Sequence, residues 1–508
     1  MVSLTDTAPM GAIEVMSPAT GEVIGQVPVL PAEAVNAAVA RAKKAAATWS
    51  AMPMAERRHD LVAFRRHIAA RVDDFADTIH RENGKPRLDA TVEVMMALSH
   101  LHHAAVRAEK VLRKKRVASG LLANFRAEVS YCPLGVVAVI GPWNYPLFTP
   151  MGSIAYALGA GNAVVFKPSE LTPLTAKLLA EVAAESLSVP DLLQVVTGDG
   201  RTGDALAGAD VDKIAFTGSA ATGRKVMTRA AERLTPVLME LGGKDAAVIA
   251  GDADVDKAAA ATVYGALANT GQACVSIERV YAAEDIYDQF VAKVVEHAGR
   301  VTVGDNGEDL GPMTSEAQVD IVRDHLDDAV AKGAEVLMGG ADEIRGRYIK
   351  PTVLVGVTPE MKIMTEETFG PVVAIARVAD ADDGVRQANR SAYGLGSAIF
   401  GRARVRELAD QIRSGMTSVN SVLAFSGIPS LPFGGVGDSG FGRIHGDEGL
   451  REFSRTKSTA EERVPLPMSL LSFGLPASTV DRIRTLIHQL YGGGAVDRAG
   501  AAIRSLRR

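Results

Sequence analysis

The chain is short of the residues that mark special chemistry or special surroundings. Only two of its 508 residues are cysteine, Cys132 and Cys274. At most one disulfide can form, and a metal site of the CxxC type is impossible. So few thiols fit a reducing compartment, and a cytoplasmic location is expected. No charge dominates either: Lys plus Arg number 55 and Asp plus Glu 60, a net of −5. That excludes a global basic field for nucleic acid and an acidic tail. No window reaches the ~18 unbroken apolar residues of a membrane span. The first fifteen residues hold Asp6 and Glu14 and lack a basic start and an apolar stretch, so no cleaved leader is expected. With 47% apolar and 23% charged residues, the composition is that of a soluble globular chain. Its length suggests about three domains.

The periodicities divide the chain. Ala32 to Trp49 is an Ala-rich helix, and Ala55 to His80 carries Leu61, Phe64, Ile68 and Val72 at the spacing of one buried helical stripe. Ala118 to Tyr131 alternates like an extended arm. From Gly135 the rhythm becomes strand, turn, helix. Strands are expected at Gly135–Ile140, Asn162–Phe166, Leu193–Val196, Lys213–Phe216 and Val237–Glu240, with helices between them. Continuous β-branched runs such as GVVAVI suit parallel strands covered on both faces. The rhythm restarts with a strand at Ala246–Ala250 and a helix at Val255–Asn269, and later strands are expected at Gly394–Phe400 and Thr417–Asn420. This predicts an α/β fold with two doubly wound parallel-sheet domains and a cleft between them. Beyond Val464 the character changes: Pro465, Pro467 and Pro476 interrupt an apolar stretch, and Val480, Ile483, Ile487, Leu490 and Tyr491 form one helical stripe before a run of arginines.

Several residues stand where chemistry is possible. Cys274, in GQACVS, lies at a loop-like break after a helix, where backbone amides would stabilise a thiolate. By composition alone, a lone cysteine is more often an inert buried small residue than a nucleophile. Glu240 ends a strand and is followed by Leu241, Gly242 and Gly243. Burial there would raise its pKa into the range of a general base, although an ion pair with Lys244 fits the same sequence equally well. Asn144, in GPWNYP after the first parallel strand, offers an amide to a developing oxyanion, or is simply a turn residue. Lys167, Ser169 and Glu170 follow the second strand, where a ribose diol is gripped in dinucleotide folds. Gly218, Ser219 and Gly223 form a turn into a helix that allows close approach of a pyrophosphate. The GxGxxG fingerprint is absent from the GPWNYP turn after the first parallel strand.

The order GPWNYP, KPSE, FTGS, MELGGK, GQAC, EETFGP and PFGG resembles the NAD(P)-dependent aldehyde dehydrogenase superfamily from about Ile13 to Ser458. The resemblance implies that Cys274 is the nucleophile, forming a thiohemiacetal and then a thioester. It makes Asn144, with the Cys274 amide, the oxyanion hole, and Glu240 the base for thioester hydrolysis. It implies an NAD site built from Ile140, Pro142, Trp143, Lys167, Ser169, Glu170, Gly200, Gly218, Ser219, Gly223, Leu241, Glu367 and Phe369, with no metal. Glu170 favours NAD over NADP, since a carboxylate repels a 2′-phosphate. The implied domains are a dinucleotide-binding domain (1–117 and 134–243), a catalytic domain (244–445), an oligomerisation arm (118–133 and 446–463) and a C-terminal extension (464–508). In the arm, roughly Leu121 to Tyr131 joins a strand around Arg451 to Ser454.

Departures from the family bear on substrate. PFGG continues as Val436-Gly437-Asp438-Ser439-Gly440, similar to members that act on medium-chain, fatty or aromatic aldehydes. Gly152 stands where small-aldehyde enzymes carry a bulky aromatic, which predicts a widened tunnel lined by Phe148, Gly152, Phe425, Ile428 and Phe433. No arginine occurs in Val422 to Pro432, which disfavours a carboxylate-bearing semialdehyde; succinic semialdehyde is the runner-up substrate. Two rivals to an active dehydrogenase are a catalytically silent, crystallin-like member and a cofactor-independent thiol esterase. A homodimer or homotetramer is implied. The tail reads either as a helix packed on a neighbouring subunit or over the tunnel mouth, or as a weak membrane-surface contact.

Overall fold

The computed structural model describes residues 9–465 and 472–491. Two sheets organise the larger compact unit, residues 9–113 and 131–456. The first has six strands in the order Gly440–Phe441, Val237–Leu241, Lys213–Gly218, Val136–Ile140, Ala163–Lys167 and Leu193–Val195. The second has seven, in the order Glu335–Met338, Thr352–Val355, Val372–Val378, Ile277–Ala283, Asp245–Ile249, Ser397–Phe400 and Ser418–Val419. Each is parallel except for one antiparallel edge pair: Gly440 opposite Glu240 in the first, and Glu335 opposite Val355 in the second. Every residue of Val136–Ile140, Ala163–Lys167 and Asp245–Ile249 is buried. That is why these strands read as unbroken apolar runs rather than alternating ones. The expected α/β class with parallel sheets is what the chain adopts.

The helices mostly follow the expected boundaries. Phe148–Gly159 packs against the strands Val136–Ile140 and Ala163–Lys167, and its burial is almost complete. Ala220–Ala231 begins on Ser219, whose hydroxyl accepts from the Thr222 amide, an N-cap that satisfies an otherwise free donor. The stripe read as one helix from Ala55 to His80 is two, Met54–Ala70 and Val72–Asn83, broken at Arg71 (φ −111°, ψ 27°). The apolar spacing continues across that break, so periodicity alone conceals it. A helix of 26 residues, Arg87–Leu112, follows. It buries Glu93, His100 and a file of alanines against Phe148–Gly159.

The smaller unit, residues 114–130 with the described part of 457–491, contains most of a three-stranded sheet, in the order Ser454–Glu462, Phe125–Pro133, Lys115–Val117. The strand expected around Arg451 to Ser454 therefore starts where it was expected to end, because Gly446–Glu452 is helical. Within this unit Glu128 accepts ion pairs from Lys114 and Arg126. The tail helix forms at Ser478–Tyr491, with Val480, Ile483, Ile487 and Tyr491 exposed. Leu466, Met468, Leu470 and Leu471, and the arginines from Arg498 on, lie outside the described residues. Among the described residues no helix is long and apolar enough to cross a membrane.

Candidate active site

Cys274 is carried on a loop whose backbone is held in an uncommon shape. Helix Val255–Leu267 runs into a tight turn at Ala268–Gly271, where Asn269, Thr270 and Gly271 have φ of 53°, 57° and 74°. Left-handed backbone is costly for a β-branched residue, so the surroundings must hold it. They do: Thr270 Oγ1 donates to the Gly311 carbonyl at 3.0 Å, and Asn269 Nδ2 donates to the carbonyls of Asn144 and Gln272, both at 3.0 Å. A side chain at position 271 would collide with the Gly370 carbonyl. The loop is thereby fixed to the elements on either side before any ligand arrives.

Asn144 comes to the same place from the other direction. Its side-chain amide donates to the Gln272 carbonyl at 3.0 Å, and its own carbonyl accepts from Lys85 Nζ at 2.8 Å. Lys85 is fully buried and pairs with Glu93 at 2.6 Å. The second oxygen of Glu93 accepts from the amides of Leu147 and Phe148 at 2.8 and 3.1 Å. A buried ion pair from the preceding helices thus anchors the loop that presents Asn144. Asn83 Nδ2 adds a bond to the Trp143 carbonyl at 3.0 Å, and Thr314 connects Asn83 to Gln272.

Glu240 faces this loop from the end of strand Val237–Leu241. It is buried, and neither carboxylate oxygen has a hydrogen-bond partner among the described residues. Burial pushes its pKa well above the usual carboxylate range, reinforced by Glu367 and Asp245. No ion pair joins it to Lys244, whose ammonium goes instead to Glu278 at 2.5 Å and to Thr368 Oγ1 at 2.9 Å. The Cys274 thiol is half-buried. Burial is the main cause that raises its pKa well above the ordinary thiol value, followed by the charges of Glu240, Asp245 and Glu367. The backbone amides expected to favour a thiolate are opposed here, by burial first and by the neighbouring carboxylates second. Cys132 is half-buried in the strand Phe125–Pro133.

Glu278 organises the remaining wall. Its oxygens accept from the amides of Thr368 and Phe369 at 2.8 and 2.9 Å, holding Phe369 at φ 53°. Glu367 is thereby turned so that its carboxylate accepts from the Gly243 amide at 3.0 Å, with its pKa raised to about 8 by burial first and by Glu278 second. The rings of Phe369 and Trp143 meet edge to face, with centroids 5.4 Å apart.

The residues expected to hold a dinucleotide gather at the strand ends of the six-stranded sheet. Lys167 is buried, with its ammonium 2.8 Å from the Pro168 carbonyl and 3.5 Å from the half-exposed Glu170. Ser169 accepts from the Leu171 amide. Gly200 opens helix Gly200–Ala207, capped by Asp199. Gly218 ends its strand and Ser219 caps the next helix. A side chain at Gly223 would press on Leu241 at 2.7 Å, so glycine is what lets this helix approach the sheet. Ile140 ends the central strand, and Pro142 and Trp143 follow it. Strand ends, a capped helix start and a close glycine make a surface that fits a dinucleotide.

The expected tunnel residues are only partly as foreseen. Phe148, Phe425 and Phe433 are buried, with Phe425 and Phe433 6.3 Å apart. Ile428 is 43% exposed, on the surface rather than in a channel. Gly152 does not open free space: a Cβ there would lie 2.6 Å from His445 Nε2 and 3.0 Å from Ile444 Cδ1. The imidazole of His445 occupies the volume that the missing side chain was expected to give to substrate. Lys85, Glu93, Asn269, Gln272, Glu278 and His445 were not singled out from sequence. Glu93 and Glu278 are polar residues inside otherwise apolar helical and strand patterns, the one signal for them; the others lie in loops and turns that give none.

Comparison with known proteins agrees with the geometry. The profile of the Aldehyde dehydrogenase family matches residues 5–459, and the chain belongs to that family. The chain is 38% identical over 490 residues to a 4,4′-diapolycopene aldehyde oxidase of Methylomonas sp., covering 95% of this chain and 92% of the relative. It is also 38% identical over 469 residues to a putative succinate-semialdehyde dehydrogenase [NADP(+)] 2 of Mycobacterium tuberculosis, covering 90% of each. Among solved structures, the NAD-dependent aldehyde dehydrogenase from Sinorhizobium meliloti superposes with a TM-score of 0.87 at 34% identity, over 91% of this chain and 93% of that one. The family is one of oxidoreductases that act on aldehydes with a nicotinamide cofactor.

Proposed function

We propose that this chain oxidises an aldehyde with an apolar tail, medium- or long-chain or aromatic, to its carboxylic acid with NAD. The observation that carries the reading is the convergence of three groups on one loop: the Cys274 thiol, the Glu240 carboxylate with no partner of its own, and the Asn144 amide bound to the turn before Cys274. Cys274 Sγ attacks the aldehyde carbon, and the thiol proton passes to a neighbouring carboxylate, for which the unpartnered Glu240 is suited. The Asn144 amide and the Cys274 backbone amide stabilise the oxygen as it becomes negative. Bound NAD supplies the hydride acceptor, with Lys167, Ser169 and Glu170 at the adenosine ribose, Ser219 at the pyrophosphate, and Glu367 and Phe369 at the nicotinamide ribose. Glu240, after passing that first proton to solvent, takes a second from water as the water attacks the thioester carbon; the C–S bond breaks and the departing thiolate takes the proton back. The acid leaves, and the thiol is restored.

The lining of Phe148, Phe425 and Phe433 favours an apolar tail over a charged one. The name of the mycobacterial relative favours succinic semialdehyde and NADP instead. We assign the dinucleotide-binding role to the six-stranded sheet, the nucleophile to the seven-stranded one, and homo-oligomer pairing to the arm. The test is NADH formation with NAD in excess, across straight-chain aldehydes from acetaldehyde to hexadecanal, benzaldehyde and succinic semialdehyde. Turnover efficiency rising with chain length supports the apolar reading, and a lone peak at succinic semialdehyde overturns it. A Cys274→Ala variant must still bind NAD while losing oxidation. Thioester cleavage without NAD would point to a thiol esterase.

A further inference from the structure

His445 has an uncommon combination of properties. It is 1% exposed, yet neither ring nitrogen has a hydrogen-bond partner among the described residues. Its backbone is at φ 62°, ψ 169°, a region that a residue with a side chain enters only under constraint. Its neighbour His100 is the contrast. That ring lies 3.4 Å from the Tyr156 hydroxyl at one nitrogen and 3.2 Å from the Ser426 carbonyl at the other, as buried histidines usually do. A histidine kept for packing or for a protein hydrogen bond would not stay both strained and unpartnered.

Its position explains what the ring does. Phe148 and Gly152 are one helical turn apart on Phe148–Gly159, the helix that the Asn144 loop leads into, so they share a face. The His445 ring stacks on His100 at 3.8 Å and stands 5.9 Å from Phe148 and 5.4 Å from Phe433. Phe433 in turn neighbours Phe425, whose ring would lie 2.8 Å from a Cβ on Gly396, the residue whose amide binds Asp245. Asp245 is one of the carboxylates that raise the Cys274 pKa. Phe425 and Phe433 thus lead from the Gly396–Asp245 side of the site to His445, whose ring closes over Gly152. Burial, with His100 and His103 nearby, keeps the ring uncharged.

We propose that His445 is a specificity-determining residue: filling the volume over Gly152, its ring narrows the aldehyde channel beside Phe148 and selects slim, unbranched tails over ring-bearing ones. This rests on the aldehyde oxidation proposed above and narrows its substrate class.

The test compares kcat/KM for 2-naphthaldehyde with that for hexanal, using NAD, in four enzymes: wild type, His445→Gly, Gly152→Ala and the double variant. Glycine is the residue at home at φ 62°, ψ 169°, so His445→Gly removes the ring without adding strain; His445→Ala, which removes the ring and keeps the backbone strain already present, serves as a second variant. The ratio within one preparation cancels differences in active fraction. His445→Gly is expected to raise the naphthaldehyde-to-hexanal ratio by about tenfold or more, the scale of a pocket changed by a few atoms. Gly152→Ala, whose Cβ displaces the ring, is expected to shift the ratio in wild type and to leave it unchanged once the ring is gone. That non-additivity identifies one shared volume. A ratio that stays within about twofold in both His445 variants, or effects that simply add, overturns the inference while leaving aldehyde oxidation intact. A wild-type enzyme inert toward every aldehyde overturns both.

Discussion

Asn144 and Gln272 are joined by one hydrogen bond, side-chain amide to backbone carbonyl at 3.0 Å, and Gln272 lies just ahead of Cys274 in the chain. The bond ties the proposed oxyanion donor to the nucleophile's loop, so both are positioned by the same contact. Asn144→Ala is expected to lower kcat by about 10²- to 10³-fold, the scale of one lost oxyanion donor. Cofactor affinity should change little. Stopped-flow hydride transfer with saturating NAD checks this, and a variant with near wild-type kcat would remove Asn144 from the chemistry.

The anchor behind that loop is the pair Lys85–Glu93, both side chains wholly buried. Lys85→Met leaves the Glu93 carboxylate in an apolar interior with only the Leu147 and Phe148 amides as partners. A broken buried pair costs about 3–5 kcal/mol, so a clear fall in thermal midpoint is expected. The double variant Lys85→Met with Glu93→Gln removes the uncompensated charge and should recover much of that loss. Differential scanning calorimetry on the three proteins decides it; equal midpoints in single and double variants would argue against the pair as an anchor.

Glu170 bears on cofactor choice. Its carboxylate is half-exposed and sits 3.5 Å from the buried Lys167 ammonium, so it lends negative charge to the proposed ribose subsite. Glu170→Ser removes the repulsion toward a 2′-phosphate and leaves Lys167 free to attract one. The ratio of kcat/KM for NADP to that for NAD is expected to rise at least about tenfold, equivalent to ~1.4 kcal/mol. An unchanged ratio, or a wild type that already prefers NADP, would mean that the cofactor is read by other residues.

What was legible in the sequence follows from the physics of each part. The parallel strands were plain because Val136–Ile140 and Ala163–Lys167 are buried on both faces and write that burial as unbroken apolar runs. Cys274, Glu240 and Asn144 were singled out through the motifs GQAC, MELGGK and GPWNYP, each at or just past the end of an element. The break at Arg71 was hidden because the helices on either side keep one stripe in phase. The roles of Lys85, Glu93 and Glu278 were hidden because the backbone groups they hold are far away in sequence: Lys85 binds the Asn144 carbonyl, Glu93 the amides of Leu147 and Phe148, and Glu278 those of Thr368 and Phe369. Gly152 misled for the same reason. A glycine shows that a side chain is missing but not that His445, nearly three hundred residues later, fills the place.

The buried carboxyls predict a pH response whose sign is unusual. Asp245 and Glu367 have pKa values raised to about 8, and Glu82 to about 7, in each case chiefly by burial. Each binds its proton more tightly folded than unfolded. Its contribution to stability is therefore complete below the ordinary carboxylate pKa of about 4, and is lost as the pH climbs through about 7 to 8. The thermal midpoint is expected to fall between pH 6 and pH 9 and then level off. Asp245→Asn keeps an acceptor for the Gly396 amide, which the carboxylate now binds at 2.9 Å, while it removes one titrating charge, so the fall should be shallower. The same variant reports on the nucleophile. Asp245 is one of the carboxylates that raise the Cys274 pKa, so alkylation by iodoacetamide in the absence of aldehyde should reach its half-maximal rate at a lower pH in Asp245→Asn than in wild type. Coincident alkylation profiles would place the Asp245 charge too far from the thiol to matter. A midpoint that rises with pH would show that ionised, not protonated, carboxyls stabilise the fold.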